Sequence, residues 1–258
     1  MKLFETLDIK TINGLPILYI PSINAITVAD LHLGYEEALA NKGIFYPKSQ
    51  FNIIMKLLVE GFEKTNTDIL IINGDLKHEF GRFSFQERKE IETLLKELLT
   101  RFKKIIIVRG NHDNYLINII RKFENVEFIS SYLTIGKYGF AHGHELSLDL
   151  FSTKVECIVI AHEHPALGLK DDVYVKIKVP AVLFGETKVG KKIVVQPALS
   201  PIVLGVEVNM QPQSEFLSPI LRDKKIVDIG NLEAIALDIE AGAFRFPKLK
   251  KWQKILQY

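Results

Sequence analysis

The chain is almost without cysteine. Cys157 is the only one, so no disulfide can close within the chain, and its place inside an apolar run reads as inert core. Charge of either sign is not in excess: 33 basic residues stand against 31 acidic ones, a formal net charge of +2. That excludes a polyanion binder acting through bulk charge. No run approaches the roughly 20 apolar residues of a membrane span, and Glu5 and Asp8 interrupt the N-terminal segment where a signal peptide would be apolar. A reducing, cytoplasmic setting without a membrane is therefore expected. There is also no Pro/Gly/Ser-rich linker and no internal repeat, so residues 1–258 are expected to form one domain. The unevenly distributed residue is histidine. All seven (His32, His78, His112, His142, His144, His162 and His164) lie in the first two thirds of the chain, and none follows His164.

Short apolar runs alternate with helical patterns in the first half. Strands are expected at Ile17–Ile20, Ala25–Ala29, Asp68–Ile72, Lys104–Val108, Glu127–Ile129, Leu133–Ile135 and Val155–Ile160, with Phe140 in another. Helices are expected at Lys48–Lys64, where Phe51, Ile54, Met55, Leu58 and Phe62 share a stripe, at Gln86–Phe102 and at Asp113–Phe123. This alternation predicts parallel sheet with crossover helices. The second half reads as strands at Val173–Val179, Ala181–Phe184, Lys192–Val195, Ile202–Val208, Ile226–Ile229 and Ala234–Ile239, with a helix only at Lys248–Gln257. Residues Asn209–Asp223 are polar and proline-bearing, and read as a long surface excursion. Two β-rich halves predict an α/β fold in which two mixed sheets pack face to face, with helices of the first half on one outer face.

Five short motifs follow apolar strands: Asp30-Leu31-His32, Gly74-Asp75 with His78 three residues on, Arg109-Gly110-Asn111-His112-Asp113, His142-Gly143-His144, and His162-Glu163-His164. Strand ends are where open α/β sheets place their sites. Residues two apart in extended chain point to one side, so Asp30 and His32 are expected to converge. Taken singly, each motif has a plain structural reading: Asp75 as a turn or cap residue, Asp113 as an N-cap behind a glycine turn. Two His-x-His pairs at strand ends are harder to explain without a metal, because so many buried imidazoles would leave hydrogen bonds unmet. The combined donors are oxygen and nitrogen without sulfur, a set suited to Mn, Fe or Zn. A carboxylate bridging two cations is the architecture of two-metal hydrolysis.

The ordered set resembles the calcineurin-like metallophosphoesterase superfamily over residues 30–164. A longer pattern in Ala29–Gly34, Gly74–His78, His162–Leu167, Val179–Gly185 and Gln196–Gly205 is similar to the DNA-ligase-associated phosphoesterases and the archaeal SbcD-related proteins. The resemblance implies a four-layer α/β/β/α sandwich, with the second sheet and C-terminal tail in 165–258. It implies two divalent transition metal ions, manganese first, with Fe, Zn or Ni as alternatives. Asp30, His32, Asp75 and His164 would hold one, and Asp75, Asn111, His142 and His162 the other. It implies a binuclear phosphoesterase, chiefly a phosphodiesterase on nucleotide or nucleic-acid substrates, working through a metal-bridging hydroxide. His112 would act as acid, with Asp113 fixing its ring, and His78, His144 and Arg109 would contact substrate. Within that assignment every histidine belongs to the site. One departure is Ala161, where the family usually has glycine before the final His-x-His.

Two rivals accompany this reading. One is a nuclease of the SbcD-related type; the chain is expected to lack the capping domain that the double-strand-break nucleases append after the catalytic domain, which argues against processive DNA work. The other is a scaffold of the same fold that has lost catalysis, disfavoured because no ligand position is missing. A homodimer is one option for the oligomeric state. Residues 185–192 (GETKVGKK) nearly spell a P-loop but lack the final Ser/Thr and precede a strand, so they read as a hairpin turn. Lys248, Lys250, Lys251 and Lys254 around Trp252 read as the solvated side of a terminal helix, with phosphate contact as the alternative.

Overall fold

The computed structural model describes residues 1–170 and 176–253. The first sheet has the order β1 (Lys10–Ile12), β2 (Leu15–Ile20), β3 (Ala25–Val28), β4 (Ile69–Asn73), β5 (Lys104–Val108), β6 (Val126–Ile129). Its first two pairings are antiparallel; β3 through β6 run parallel. The helices α1 (Tyr35–Asn41), α2 (Gln50–Thr65), α3 (Phe85–Leu98) and α4 (Ile117–Ile120) belong to this half. The second sheet comprises β7 (Tyr132–Ile135), β8 (Tyr138–Ala141), β9 (Cys157–Ile160), β10 (Pro165–Lys170), β11 (Lys176–Glu186), β12 (Lys192–Val195), β13 (Val206–Glu207), β14 (Glu233–Asp238) and β15 (Gly242–Phe246). Its order is β13-β10-β11-β12-β9-β8-β7, with β14 on β11 and β15 on β14. Three short helices, α5 (Leu148–Ser152), α6 (Pro219–Arg222) and α7 (Leu249–Gln253), accompany it.

The central strands are apolar throughout because both faces are buried, and the period of two sorts their side chains into different layers. Leu70 and Ile72 of β4 face α2 and α3, packing with Ile54, Leu58, Leu94 and Leu98. Ile71, between them, joins Val108, Phe140, Val159, Val182, Val194 and Ile235 in the layer between the sheets. On the outer face of the second sheet Ile158, Ile160, Leu183, Ile193 and Ala236 meet Leu150, Phe216, Ile220, Leu221 and Leu249. These three apolar layers are the α/β/β/α arrangement expected from the sequence. Cys157 lies in the middle layer, fully buried, and burial pushes its thiol pKa up, keeping it protonated.

Several expected elements differ. The strands expected at Val173–Val179 and Ala181–Phe184 form one strand, β11, whose described part begins at Lys176; residues 173–175 lie outside the described residues. Pro180 sits where β11 leaves β10 and takes up β14, so its missing N–H falls at the end of a ladder. The strand expected at Ile202–Val208 shrinks to Val206–Glu207. Ile226–Ile229 is not a strand. Ile226 and Val227 donate to the Asp223 carbonyl and plug the outer apolar layer, and a 3₁₀ turn starts at Ile229. The Asp113–Phe123 helix is reduced to α4, because Tyr115 takes a left-handed φ of 64°. The Asn209–Asp223 excursion is anchored, with Asn209, Phe216, Ser218, Ile220 and Leu221 buried. Of the terminal helix, Leu249–Gln253 is observed, and residues 254–257 with Lys254 lie outside the described residues. Residues 187–190 are a hairpin turn closed by the Thr187 side chain and Lys191, as expected.

Truncation at the middle layer should be costly. Ile71→Ala should lower the unfolding free energy by about 2–5 kcal/mol, whereas Phe45→Ala, at a residue 86% exposed, should change it by less than about 0.5 kcal/mol. Urea denaturation of both variants checks the difference.

Candidate metal centre

The site lies at the carboxyl ends of β3, β4, β5, β8 and β9, where backbone hydrogen bonds tie the loop after β3 to that after β4 and the loop after β8 to that after β9. Asp30 N–H donates to the Gly74 carbonyl (3.0 Å), His32 N–H to Asp75 (2.9 Å) and Leu33 N–H to Leu76 (3.0 Å). The Gln50 amide donates to the carbonyls of Leu31 (3.1 Å) and His32 (3.0 Å) and to the Ser200 hydroxyl (2.9 Å). Asp30 and His32 converge, but not through extended chain. Both lie in the left-handed region (φ 55° and 48°), as do Asp75 (51°), His162 (68°) and His164 (47°). Such backbone is uncommon outside glycine, tolerated best by Asp, Asn and His, and concentrates at functional sites. The tightness has a sequence signature in two glycines. A Cβ on Gly74 would collide with the His142 ring, and one on Gly110 with Asp75.

The side chains of Asp30, His32 and His164 converge, with donor atoms within 4.8 Å of one another, and so do those of Asp75, His142 and His162. Asp75 Oδ2 lies between the groups: 3.2 Å from His142 Nε2, 3.8 Å from His32 Nε2 and 3.9 Å from His112 Nε2. Asn111 Oδ1 lies 3.2 Å from His142 Nε2. Asp30 Oδ1 and His164 Nε2 approach to 3.2 Å without an aligned hydrogen bond, and both are buried atoms with no hydrogen-bond partner.

These contacts fit divalent cations. The Asn73 carbonyl, 3.0 Å from His142 Nδ1, can only accept. Nδ1 therefore carries a proton, and Nε2 is the atom turned toward Asp75 and Asn111, where a metal-binding imidazole offers its lone pair. Electrostatics point the same way. Burial disfavours charge on Asp75 and Asp30, yet His142 beside Asp75 and His164 beside Asp30 hold both carboxyls below the usual range. Burial would lower the His142 pKa, but Asp75 and Asp30 raise it to about 9; without a cation, a proton takes its place. Burial lowers His32 to about 3 and His162 to about 4, leaving both neutral.

The remaining expected residues separate. His112 N–H donates to Asp75 Oδ1 (3.0 Å), and its Nδ1 contacts the His78 carbonyl. Asp113 does not hold this ring. Its buried carboxylate accepts backbone N–H groups from Gly110 (2.8 Å), Asp75 (2.9 Å) and Leu76 (2.9 Å); burial and Asp75 raise its pKa to about 6. The reason is local: with no helix beginning at Asp113, its side chain braces the Asp75 turn. His78 stacks on Tyr35 (ring centroids 3.9 Å apart) and groups with His32 and His112. Burial, then His112, lowers its pKa to about 4. His144 lies at the rim beside Glu145 (3.4 Å). The Arg109 guanidinium donates to Asn114 Oδ1 (2.9 Å).

Some supporting residues had no sequence signal. Glu163, between the two histidines of its motif, accepts the N–H groups of Leu217 (3.1 Å) and Ser218 (2.9 Å), and the Ser218 hydroxyl donates to the Gly143 carbonyl (2.8 Å). The buried excursion thus fastens both His-x-His motifs. Gln50, Asn73, Tyr35 and Glu87 act from positions whose spacing marks nothing.

A family model described as calcineurin-like phosphoesterase matches residues 24–185. The chain belongs to that family. Members of the family are phosphoester hydrolases that use divalent metal ions, and the three clusters of potential ligands lie within the matched region. Among solved structures, the nuclease MPE of Pseudomonas putida superposes with a TM-score of 0.61 at 15% identity, covering 91% of this chain and 94% of that one; this likeness is one of fold. YfcE, a phosphoesterase from E. coli, matches with a TM-score of 0.39 at 15% identity over 87% of this chain and 98% of that one. The protein AQ665 of Aquifex aeolicus matches with a TM-score of 0.39 at 19% identity over 54% of this chain and 78% of that one. No curated protein sequence matches the chain. Among the described residues, no helix is long and apolar enough to cross a membrane.

Asp113→Ala removes the acceptor for four buried N–H groups, those of Gly110, Asp75, Leu76 and Lys77. It should destabilise the protein by about 1–3 kcal/mol or more, while His112→Ala, which gives up one ring contact to the His78 carbonyl and the packing of Phe80, should cost less. Thermal unfolding of the metal-free variants checks the order.

Proposed function

We propose that this calcineurin-like phosphoesterase is a binuclear phosphodiesterase acting on nucleotide or nucleic-acid substrates, of the kind related to DNA-ligase-associated and SbcD-type enzymes, in the cytoplasm. The observation that carries the reading is Asp75 Oδ2, buried between two ligand clusters and within 4 Å of three imidazole nitrogens. Asp30, His32, Asp75 and His164 would hold one cation, and Asp75, Asn111, His142 and His162 the other, with manganese the metal expected. When bound, such cations lower the pKa of water toward neutrality and offset charge on phosphoryl oxygens.

The chain's own groups do the rest. Asn73 fixes the His142 ring with Nε2 inward. Asp113 keeps the Asp75 turn in its left-handed form. His112, held by Asp75 through its N–H and by the His78 carbonyl at Nδ1, presents Nε2 to the site. From there it can give a proton to the departing oxygen or bind its charge. His78, His144 and Arg109 surround this centre and are assigned to substrate contact. Nucleic acid as a polymer is the second substrate reading, and the exposed aromatic side chain beside His112 favours it.

Protein prepared with manganese should contain about two metal ions per chain and hydrolyse a chromogenic phosphodiester, and a chelator should abolish turnover. Absence of bound transition metal together with inactivity in manganese would leave the scaffold reading instead. Asp75→Asn should lose metal from both positions. His112→Ala should keep metal and lose about 10²–10⁴-fold in kcat; elemental analysis alongside kinetics separates the two.

A further inference from the structure

Phe80 is a large apolar side chain that the fold does not use. It is 57% exposed, although Phe83, three residues on, packs against the main apolar layer. Its segment is nonetheless rigidly held. The Glu87 carboxylate accepts the N–H groups of His78 (3.1 Å), Glu79 (2.7 Å) and Ser84 (3.1 Å). The Asn114 amide donates to the Phe80 carbonyl (3.1 Å), and Arg109 in turn holds Asn114 (2.9 Å). Lys77 Nζ donates to the Gly81 carbonyl (3.3 Å). Five polar contacts therefore fix a backbone whose aromatic side chain faces solvent.

One face of that ring is covered. It lies over the His112 imidazole with ring centroids 3.8 Å apart and planes 30° apart. The high exposure leaves its other face open. A rigid aromatic face of this kind, backed by the group assigned to the departing oxygen, is suited to a flat ring carried a few bonds from that oxygen. Every nucleobase has such a face, and stacking on an aromatic side chain tolerates any base. A base inside a duplex has both faces occupied by its neighbours, so the platform takes a base with a free face, as in a dinucleotide or a single strand.

We propose that Phe80 is the stacking platform for the nucleobase of the leaving nucleoside, which makes the substrate a nucleotide diester or single-stranded nucleic acid. This rests on the phosphodiester reading above and adds the side of the scissile bond on which the base is recognised. Arg109, through Asn114, becomes a positioning residue for the platform.

The test compares manganese-loaded wild type, Phe80→Leu and Phe80→Trp on thymidine dinucleotides in which an abasic sugar replaces either nucleoside in turn. Wild type should prefer a base over an abasic sugar on the leaving side by about tenfold in kcat/KM. Phe80→Leu should bring that ratio close to one, and Phe80→Trp should retain it. In a second measurement, a dinucleotide carrying 2-aminopurine is added to chelator-treated protein. Its fluorescence should be quenched by wild type and Phe80→Trp, and not by Phe80→Leu. Cleavage without discrimination, or discrimination and quenching that persist in Phe80→Leu, overturns the platform while the phosphodiesterase reading stands. Absence of any cleavage by wild type overturns both.

Discussion

Two carboxylates, Asp30 and Asp75, are buried with essentially no exposure, and the rest of the structure depends on the compensation they require. An isolated buried carboxylate would neutralise itself by taking up a proton. Here the opposite holds: imidazoles are gathered around both, and the carboxyls stay ionised. The same surroundings leave His142 with a pKa of about 9. This is an assembly of acceptors and lone pairs in need of positive charge, which divalent cations supply better than protons.

Holding such an assembly requires rigid loops, and the rigidity is paid for in backbone strain. Five of the seven proposed ligand positions have left-handed φ. Each is kept there by hydrogen bonds from elsewhere: the Asp30 and Asp75 turns by one another, by Gln50 and by Asp113, and the histidine pairs by Glu163 and Ser218. The polar network lies at one end of the sheets, and the apolar layers supply the stability that allows strain to accumulate there.

Much of this could be read from the residues in order. The parallel strands were legible because their apolar runs are uninterrupted and bounded by glycine and polar turns. The second half was less legible. Ile226 and Val227 are apolar in the same way as a strand, yet they plug a layer, because local hydrophobicity does not say whether a partner strand lies alongside. The Asn209–Asp223 segment misled for the converse reason. Its composition is polar, but Ser218 and Phe216 are buried by contacts with Gly143 and the outer layer, far away in sequence.

Residue type and order alone marked the candidate donors of the site: which carboxylates, imidazoles and amide end the strands, and that none is sulfur. Chemistry of that kind is carried by identity and needs no coordinates. Tertiary structure decided which donors share a cluster, that Asp75 stands between them, that Asp113 serves the backbone and not His112, and that Phe80 is left exposed beside the site. Those outcomes depend on distances between loops separated by dozens of residues. Such distances are set by how two sheets stack and where their ends meet, which local pattern along the chain does not encode.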